Sequence, residues 1–315
     1  MTRFALGIDI GGTKIAAALV SPDGQARALR RVSTPKGQGA NAILDATITL
    51  GKDVLAAASP PNAIVAIGVG AAGHIDHTRG VVVYAADTLP GWGGAAVGAT
   101  LQAALGLPVV VDNDVNAMAL GEHRFGAGRR FPNALYVTVG TGVGGAIMFG
   151  GALWRGTSWS AGELGHLVLD VDGARQCSCG ARGHVEAYTA GPAIAARYCQ
   201  LAAVTTFMDL HAVAALAQRG DAHAQQAIQE GAHMLGTALG GLLNVLDVDA
   251  LIIGGGVADL GERWWQPLEA ALRVSPLPQP QRMAFRRAEL GNDAVVVGAA
   301  WLALSSVGAQ HERKA

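Results

Sequence analysis

The chain's first segment with chemical potential is Asp9-Ile10-Gly11-Gly12-Thr13-Lys14. Glycine carries no Cβ, so backbone N–H groups there can approach phosphate oxygens. Thr13 adds a hydroxyl and Lys14 a cation, and Asp9, closing an apolar run, suits a hydrated Mg²⁺. Taken alone, D-x-G-G-T is also what a tight hairpin requires, and it is neither a Walker A sequence nor a dinucleotide fingerprint. A second turn, Gly140-Thr141-Gly142-Val143-Gly144-Gly145, repeats the design, so two Gly/Thr turns could clamp a polyphosphate. Gly254-Gly255-Gly256, after another apolar run, offers a third close approach, suited to the flat face of a nucleotide. Val111-Asp112-Asn113-Asp114-Val115-Asn116 places two carboxylates and two amides at a strand end, where α/β proteins bind ligands. One of them serves as a helix N-cap. The set exceeds capping needs, which singles out Asn113 and Asp114 for function and leaves Asp112 and Asn116 to structure. Finally, Glu163-Leu164-Gly165-His166 and Gly183-His184-Val185-Glu186 bracket Cys177-Ser178-Cys179-Gly180. His166, Cys177, Cys179 and His184 have the ligand types of a structural zinc site. From spacing alone, zinc ligation and a turn with two unligated thiols stand level.

The elements that must position these groups alternate in type. Strands are expected over 4–9, 15–20, 25–33, 64–69 and 108–111. Helices are expected over 40–58, ending at Pro60-Pro61, and over 95–105, with another running to Phe125. A second round follows: strands over 135–139 and 146–149, helices over 190–201, 208–219 and 221–246, a strand over 250–253 and a helix over 258–272. Pro276, Pro278 and Pro280 break the chain. A strand over 283–290, a helix over 293–304 and a frayed polar tail over 305–315 complete it. Strands alternating with helices indicate an α/β protein. L-G-I-D-I-G-G-T-K-I-A-A-A-L-V at 6–20 and L-Y-V-T-V-G-T-G-V-G-G-A-I-M-F at 135–149 read as one duplicated unit, giving two lobes that face each other. The expected division is a smaller N-terminal lobe over 1–115, to which the closing helix at 293–304 returns, and a larger lobe over 116–292 bearing the Cys/His loop.

Composition narrows the function classes. At 315 residues the chain has room for about two domains. With 23 basic and 24 acidic residues the net charge is −1, so no strong field exists to hold nucleic acid or an anionic membrane. No apolar run reaches a membrane span, and three cysteines are too few for a disulfide framework. The expectation is a soluble, cytoplasmic protein with small-molecule substrates. Glycine, at 44 residues, is about twice its usual share, which points to many turns where backbone closely approaches something.

In combination these motifs are specific. D-I-G-G-T-K at 9–14, L-P-G-W at 89–92, D-N-D-V-N-A at 112–117, G-T-G-V-G-G at 140–145, G-E-L-G-H at 162–166, C-S-C-G at 177–180 and V-E-A-Y at 185–188 resemble the ROK family of sugar kinases, which includes bacterial glucokinases and N-acylhexosamine kinases. The resemblance runs from Gly7 to about Leu304. It implies a two-lobed α/β fold of the actin and hexokinase (ribonuclease H-like) type, with the active site in the cleft between lobes. It also implies an ATP-dependent kinase acting on the 6-hydroxyl of a hexose, glucose first, with an N-acylhexosamine as the alternative substrate. Asp114 matches the general base. Gly73, Asn113, Glu163, His166 and Glu186 match sugar ligands. Asp9, Gly11, Gly12, Thr13, Lys14, Gly140, Thr141 and Gly142 match the phosphate loops, and Gly254, Gly255 and Gly256 the nucleotide contact. ATP, Mg²⁺ and a structural Zn²⁺ are the implied cofactors, and a dimer or tetramer the implied assembly. Glu163 departs from one group of N-acetylmannosamine kinases, which carries His there. His184 stands where the family usually has a third cysteine, so the implied zinc ligands are His166, Cys177, Cys179 and His184. Some family members are sugar-responsive repressors with an N-terminal DNA-binding domain. Here the phosphate loop begins by residue 9, so that alternative reduces to a non-catalytic sugar sensor without such a domain.

Overall fold

A computed structural model describes residues 3–58, 63–85, 89–274, 277 and 282–312, without the side chains of 309–312. Pro60, Pro61, Pro276, Pro278 and Pro280, and residues 313–315 of the expected tail, lie outside the described residues.

The first sheet begins with an antiparallel meander, β1 (Phe4–Ile10), β2 (Lys14–Val20) and β3 (Ala26–Ser33). After α1 (Gly39–Ala56), strand β4 (Ile64–Ala71) pairs parallel with β1. A small hairpin, β5 (His74–Asp76) and β6 (Val81–Tyr84), and helix α2 (Val97–Leu105) precede β7 (Val109–Asn113), which pairs parallel with β4. The strand order is β3-β2-β1-β4-β7. Helix α3 (Asp114–Phe125) follows β7 with no intervening loop.

The second sheet repeats that plan. It contains β8 (Ala134–Val139), β9 (Val143–Phe149), β10 (Ala152–Trp154) and, after a helical stretch, β11 (Ala250–Gly254) and β12 (Ala284–Arg287). The order is β10-β9-β8-β11-β12: again three sequential strands, then two more on the far side of the first. The stretch between consists of α4 (Glu186–Thr189), α5 (Gly191–Leu201), α6 (Leu210–Gln218) and α7 (Ala222–Leu246). Helix α8 (Glu262–Leu272) joins β11 to β12, and α9 (Ala294–Glu312) closes the chain.

The chain divides into two compact units: residues 1–132, 146–161 and 288–315, and residues 133–145 with 162–287. In the first unit, one face of the sheet packs Leu6, Ile8, Ile10, Ile67 and Val69 against α1 and α2 through Ile43, Leu50, Val54 and Leu101. The other face packs Ala5, Ala16, Ala18 and Ala66 against Val296, Val297 and Ala300 of α9. In the second unit, α7 and α8 lie together, burying Leu235, Leu239, Leu243, Leu268 and Leu272.

Three expectations need correction. The expected tail is helical as far as Glu312, and Val307 within it, with Leu304 before it, packs against the cluster formed by Val296, Ala300 and Ala303. The expected strand over 283–290 shrinks to Ala284–Arg287, since Leu290 and Glu289 instead give their N–H groups to the Glu122 carboxylate. The glycine excess is only partly a matter of turns. A Cβ on Gly7 or Gly68, both in strands, would lie 2.0 Å or 1.7 Å from a carbonyl oxygen of α9, and one on Gly298 would lie 1.7 Å from that of Ala117 in α3. These glycines let a helix lie directly on the sheet and on another helix. Among the described residues no helix is long and apolar enough to cross a membrane.

Candidate functional site

The parallel pairing of β1, β4 and β7 determines where the first-unit groups emerge. Asp9 pairs with Gly70, and Gly70 with Asp112. With strands about 4.8 Å apart, Asp9 and the Asp112–Asp114 corner therefore end at one edge, two strand spacings from each other. Asp9 is buried, and its carboxyl is pushed up to about 7, first by burial and then by the charge of Asp114; Lys14 and Arg31 oppose the rise. Two carboxylates sharing a poorly solvated edge form an environment that favours a cation.

Asn113 is the N-cap of α3. Its Oδ1 accepts from the N–H groups of Val115 at 2.8 Å and Asn116 at 3.1 Å, and its Nδ2 donates to the Gly73 carbonyl at 3.0 Å. The amide that the sequence singled out for function thus also caps the helix. It keeps one further N–H for a ligand, because an amide nitrogen carries two. Gly73 has φ +99°, and a Cβ there would meet the Tyr84 carbonyl at 2.5 Å, so glycine is required at that turn. Asp114 is the first residue of α3, where the helix dipole favours a carboxylate, and it accepts from the Val115 N–H at 2.9 Å.

In the loop between β1 and β2, the Gly11 N–H donates to the Lys14 carbonyl at 3.1 Å, and the Thr34 hydroxyl donates to the Gly11 carbonyl at 2.7 Å. Thr13 is exposed at the turn, and Lys14 opens β2 opposite Ser33. Gly12 has an ordinary negative-φ backbone, and a Cβ there would meet nothing within 4 Å. Neither conformation nor packing among the described residues requires glycine at Gly12, whereas a ligand approaching the backbone would.

In the second unit Gly140 shows the same property, and its carbonyl accepts from the Gly191 N–H at 2.9 Å where α5 begins. Thr141 is exposed beside it. Gly142 differs: a Cβ there would lie 2.6 Å from Glu186 Oε2. Of the three glycines after β11, Gly254 still belongs to the strand. Gly255 has φ +93° and abuts the Val139 backbone, and Gly256 is open. Gly255 thus needs glycine for its own backbone and packing, whereas a Cβ on Gly256 would meet nothing within 4 Å.

The Cys/His loop also lies in this unit. Glu163 precedes a single 3₁₀ turn, Leu164–His166. The Cys177–Gly180 segment closes on itself, with the Gly180 N–H donating to the Cys177 carbonyl at 3.0 Å and the Cys177 N–H to the Ala181 carbonyl at 2.8 Å. Gly180 and Gly183 have φ +88° and +79°, conformations costly for other residues. One ligand atom from each of His166, Cys177, Cys179 and His184 lies within 4.8 Å of all the others. Cys177 Sγ is 3.6 Å from His166 Nδ1, and Cys179 Sγ is 3.3 Å from His184 Nδ1. Tetrahedral zinc with its usual bond lengths sets such atoms about 3.3–3.8 Å apart, the range in which these two sulfur–nitrogen pairs lie. Burial, with Cys179 and Glu186 beside it, pushes the Cys177 thiol up to about 11. A bound cation must displace that proton. His166 presents Nδ1 to the Cys177 sulfur and Nε2 to Glu163, 3.7 Å from its carboxylate.

Glu186, at the start of α4, joins this loop to the Gly/Thr turn: its Oε2 accepts from the Val143 N–H at 3.0 Å, and its Oε1 from Ser178 and, at 3.6 Å, Cys177. Sequence reasoning missed Ser178 and also Arg155, whose guanidinium holds the buried Asp112. The sequence signal for Arg155 is faint: one cation following an apolar run, 43 positions from its partner.

The chain is 35% identical over 317 residues to a glucokinase of Streptomyces coelicolor, covering 95% of this chain and 96% of that one. It is 34% identical over 304 residues to an N-acetylmannosamine kinase of Shigella boydii, covering 95% and 97%. Among solved structures, a ROK family glucokinase from Streptomyces griseus in complex with glucose and AMPPNP superposes with a TM-score of 0.84 at 34% identity, covering 96% of this chain and 99% of that one. Such neighbours identify the architecture as the two-lobed α/β fold of the actin and hexokinase type. The ROK family profile matches residues 5–306, and with two five-stranded sheets of one design behind that match, the chain belongs to the ROK family.

Proposed function

We propose that this protein is an ATP-dependent hexose kinase, transferring the γ-phosphoryl group of ATP to the 6-hydroxyl of a hexose, with glucose as the principal substrate. The observation that carries this reading is the nearly full-length similarity to proteins named glucokinase, among them one solved with glucose and an ATP analogue. Asp114 is assigned as the general base. Its carboxylate takes the proton of the sugar hydroxyl as the oxygen attacks phosphorus, and the phosphorus–oxygen bond to ADP breaks. Asn113, Gly73, Glu163, His166 and Glu186 hold sugar hydroxyls. Open space at Gly12 and Gly140 supports the backbone of both Gly/Thr turns as phosphate donors, with Gly11, Thr13, Lys14, Thr141 and Gly142 alongside, and at Gly256 supports a nucleotide contact shared with Gly254 and Gly255. Asp9 would hold Mg²⁺, whose charge neutralises that of the phosphates. His166, Cys177, Cys179 and His184 would hold a structural Zn²⁺; with two thiolates and two neutral imidazoles that site carries no net charge. The reading includes a cytoplasmic location and a homo-oligomeric assembly, a dimer or tetramer.

A coupled ADP-release assay across glucose, mannose, fructose, N-acetylglucosamine and N-acetylmannosamine tests the activity. Glucose is expected to give the highest kcat/KM. A tenfold or greater preference for an N-acyl sugar moves the assignment to the second reading, which the N-acetylmannosamine kinase similarity supports. Sugar binding with no ADP release from any member overturns the kinase reading and leaves a non-catalytic sugar sensor.

The phosphate assignment is tested most cleanly at Gly12. At Gly142 a new side chain displaces Glu186 before it meets a phosphate, and at Gly11 it presses on the Lys14 carbonyl at 3.2 Å. Gly12→Val has room within the protein itself. It is expected to leave thermal stability near parental and to raise KM for ATP by about tenfold or more, because charge-assisted bonds to phosphate are worth ~1.5–3 kcal/mol. Unchanged ATP affinity in the folded variant removes this turn from the phosphate site.

A further inference from the structure

We propose that Arg155 is a positioning residue for the phosphoryl-transfer step, holding the Asn113–Asp114 corner in register through Asp112. The inference rests on the reading of Asp114 as base and Asn113 as sugar ligand. Arg155 directly follows β10, and its Nε and Nη2 both converge on Oδ2 of Asp112, at 2.7 Å and 2.6 Å. The other carboxylate oxygen, Oδ1, accepts from the Asn113 N–H at 2.8 Å and from Asn116 Nδ2, also at 2.8 Å. Four donors therefore saturate a side chain that is only 1% exposed, and one of them is the backbone of the residue next to the proposed base.

The strand-to-helix corner is abrupt. Asn113 is both the last residue of β7 and the N-cap of α3, and Asp114 is the first residue of the helix. Nothing longer than one peptide separates Asp112 from Asn113, so a rotation of the Asp112 carboxylate is transmitted to the Asn113 N–H it accepts from. Asn116, one helical turn away, is held by the same oxygen. Arg155 supplies two of the four donors and the only charge among them. Without it, a buried carboxylate remains uncompensated, and that is costlier than having no ion pair at all. The carboxylate would then turn toward other donors and take the corner with it. Displacements of about 1 Å from productive geometry cost on the order of 10²-fold in rate. None of the four donors comes from the Gly/Thr turns, so nucleotide affinity has no part in this arrangement.

The test measures kcat, hexose KM and ATP KM for Arg155→Met, Arg155→Lys and the double variant Arg155→Met with Asp112→Asn, alongside Asp114→Asn and thermal melts. Arg155→Met is expected to lower kcat by about tenfold or more and to raise hexose KM, with ATP KM within about threefold of parental. Arg155→Lys, which keeps the charge, should recover most of the lost kcat. The double variant should turn over faster than Arg155→Met alone, since the asparagine oxygen still accepts from Asn113 and Asn116 and no stranded charge remains. If Arg155→Met does not fold, Arg155→Gln, which fills the space and keeps a donor, is measured in its place and is expected to show the same split. Parental kcat in the neutral variant, or equal losses in kcat and both KM values tracking the melting temperature, overturns the positioning role while leaving the base assignment standing. Parental kcat in Asp114→Asn instead overturns the base reading itself.

Discussion

Replacing Asp114 by Asn leaves hexose binding in place and lowers kcat by about 10²-fold or more, the range that general-base catalysis supplies. The substitution is nearly isosteric. An amide oxygen at that position can still accept from the Val115 N–H, as the Asp114 carboxylate does at 2.9 Å, so the start of α3 is not disturbed. What is lost is the ability to take a proton from the sugar hydroxyl. One negative charge is also removed from beside Asp9, whose carboxyl stands near 7 partly because Asp114 is charged. Asp9 then ionises more readily in the variant, so its affinity for a cation should not fall. Calorimetric hexose titration and single-turnover ADP release separate the two effects. Retained sugar affinity with collapsed turnover is the expected pair of results, and near-parental turnover in a folded protein removes Asp114 from the chemistry.

Loss of the metal should be the second large effect, and it should reach beyond stability. Protein purified without added metal is expected to carry about one zinc per chain by elemental analysis. Cys177→Ser should lower metal affinity by more than the roughly 10²-fold typical of losing a supporting group around a metal, because a ligand itself is removed. The melting temperature should then fall and cease to respond to chelator, since a metal that binds only the folded chain stabilises it by mass action. Hexose affinity should fall as well. His166 offers Nδ1 to the Cys177 sulfur and Nε2 toward Glu163, and Ser178 donates to Glu186, so three proposed sugar ligands are oriented by this one loop. His184→Ala tests the residue that stands where the family usually has a third cysteine. Parental zinc affinity in that variant would reject His184 as fourth ligand and leave the other three. Zinc-free protein with full activity and stability in chelator would reject the site entirely.

Much of this anatomy is local and was therefore legible in the residues. Asp9 at the end of an apolar run, the glycines after it, and the D-N-D corner each need only a few consecutive residues to declare a strand end, a turn or a helix start. The Cys/His set spans 19 positions with its glycines, and the turns at Gly180 and Gly183 follow from backbone conformations that glycine alone adopts easily. The repeat of one strand-turn-strand design announced two sheets of the same order. What stayed hidden depends on which distant segments the fold lays side by side. Asp112 and Asn116 read as structural without any sign of the cation that holds Asp112, because Arg155 follows β10, 43 positions later. Glu186 gave no indication that it would accept from the Val143 N–H, again 43 positions away. Gly7, Gly68 and Gly298 read as part of a surplus assigned to turns, whereas their role is to let α9 approach the sheet and α3 to within carbonyl contact. Residue types and short spacings are enough to mark the groups able to bind phosphate, accept a proton or hold a metal, since those capacities are local. Which of them are held, and by what, emerges from the packed chain alone, because a buried carboxylate or an unfilled Cβ position is defined by neighbours that chain order does not reveal.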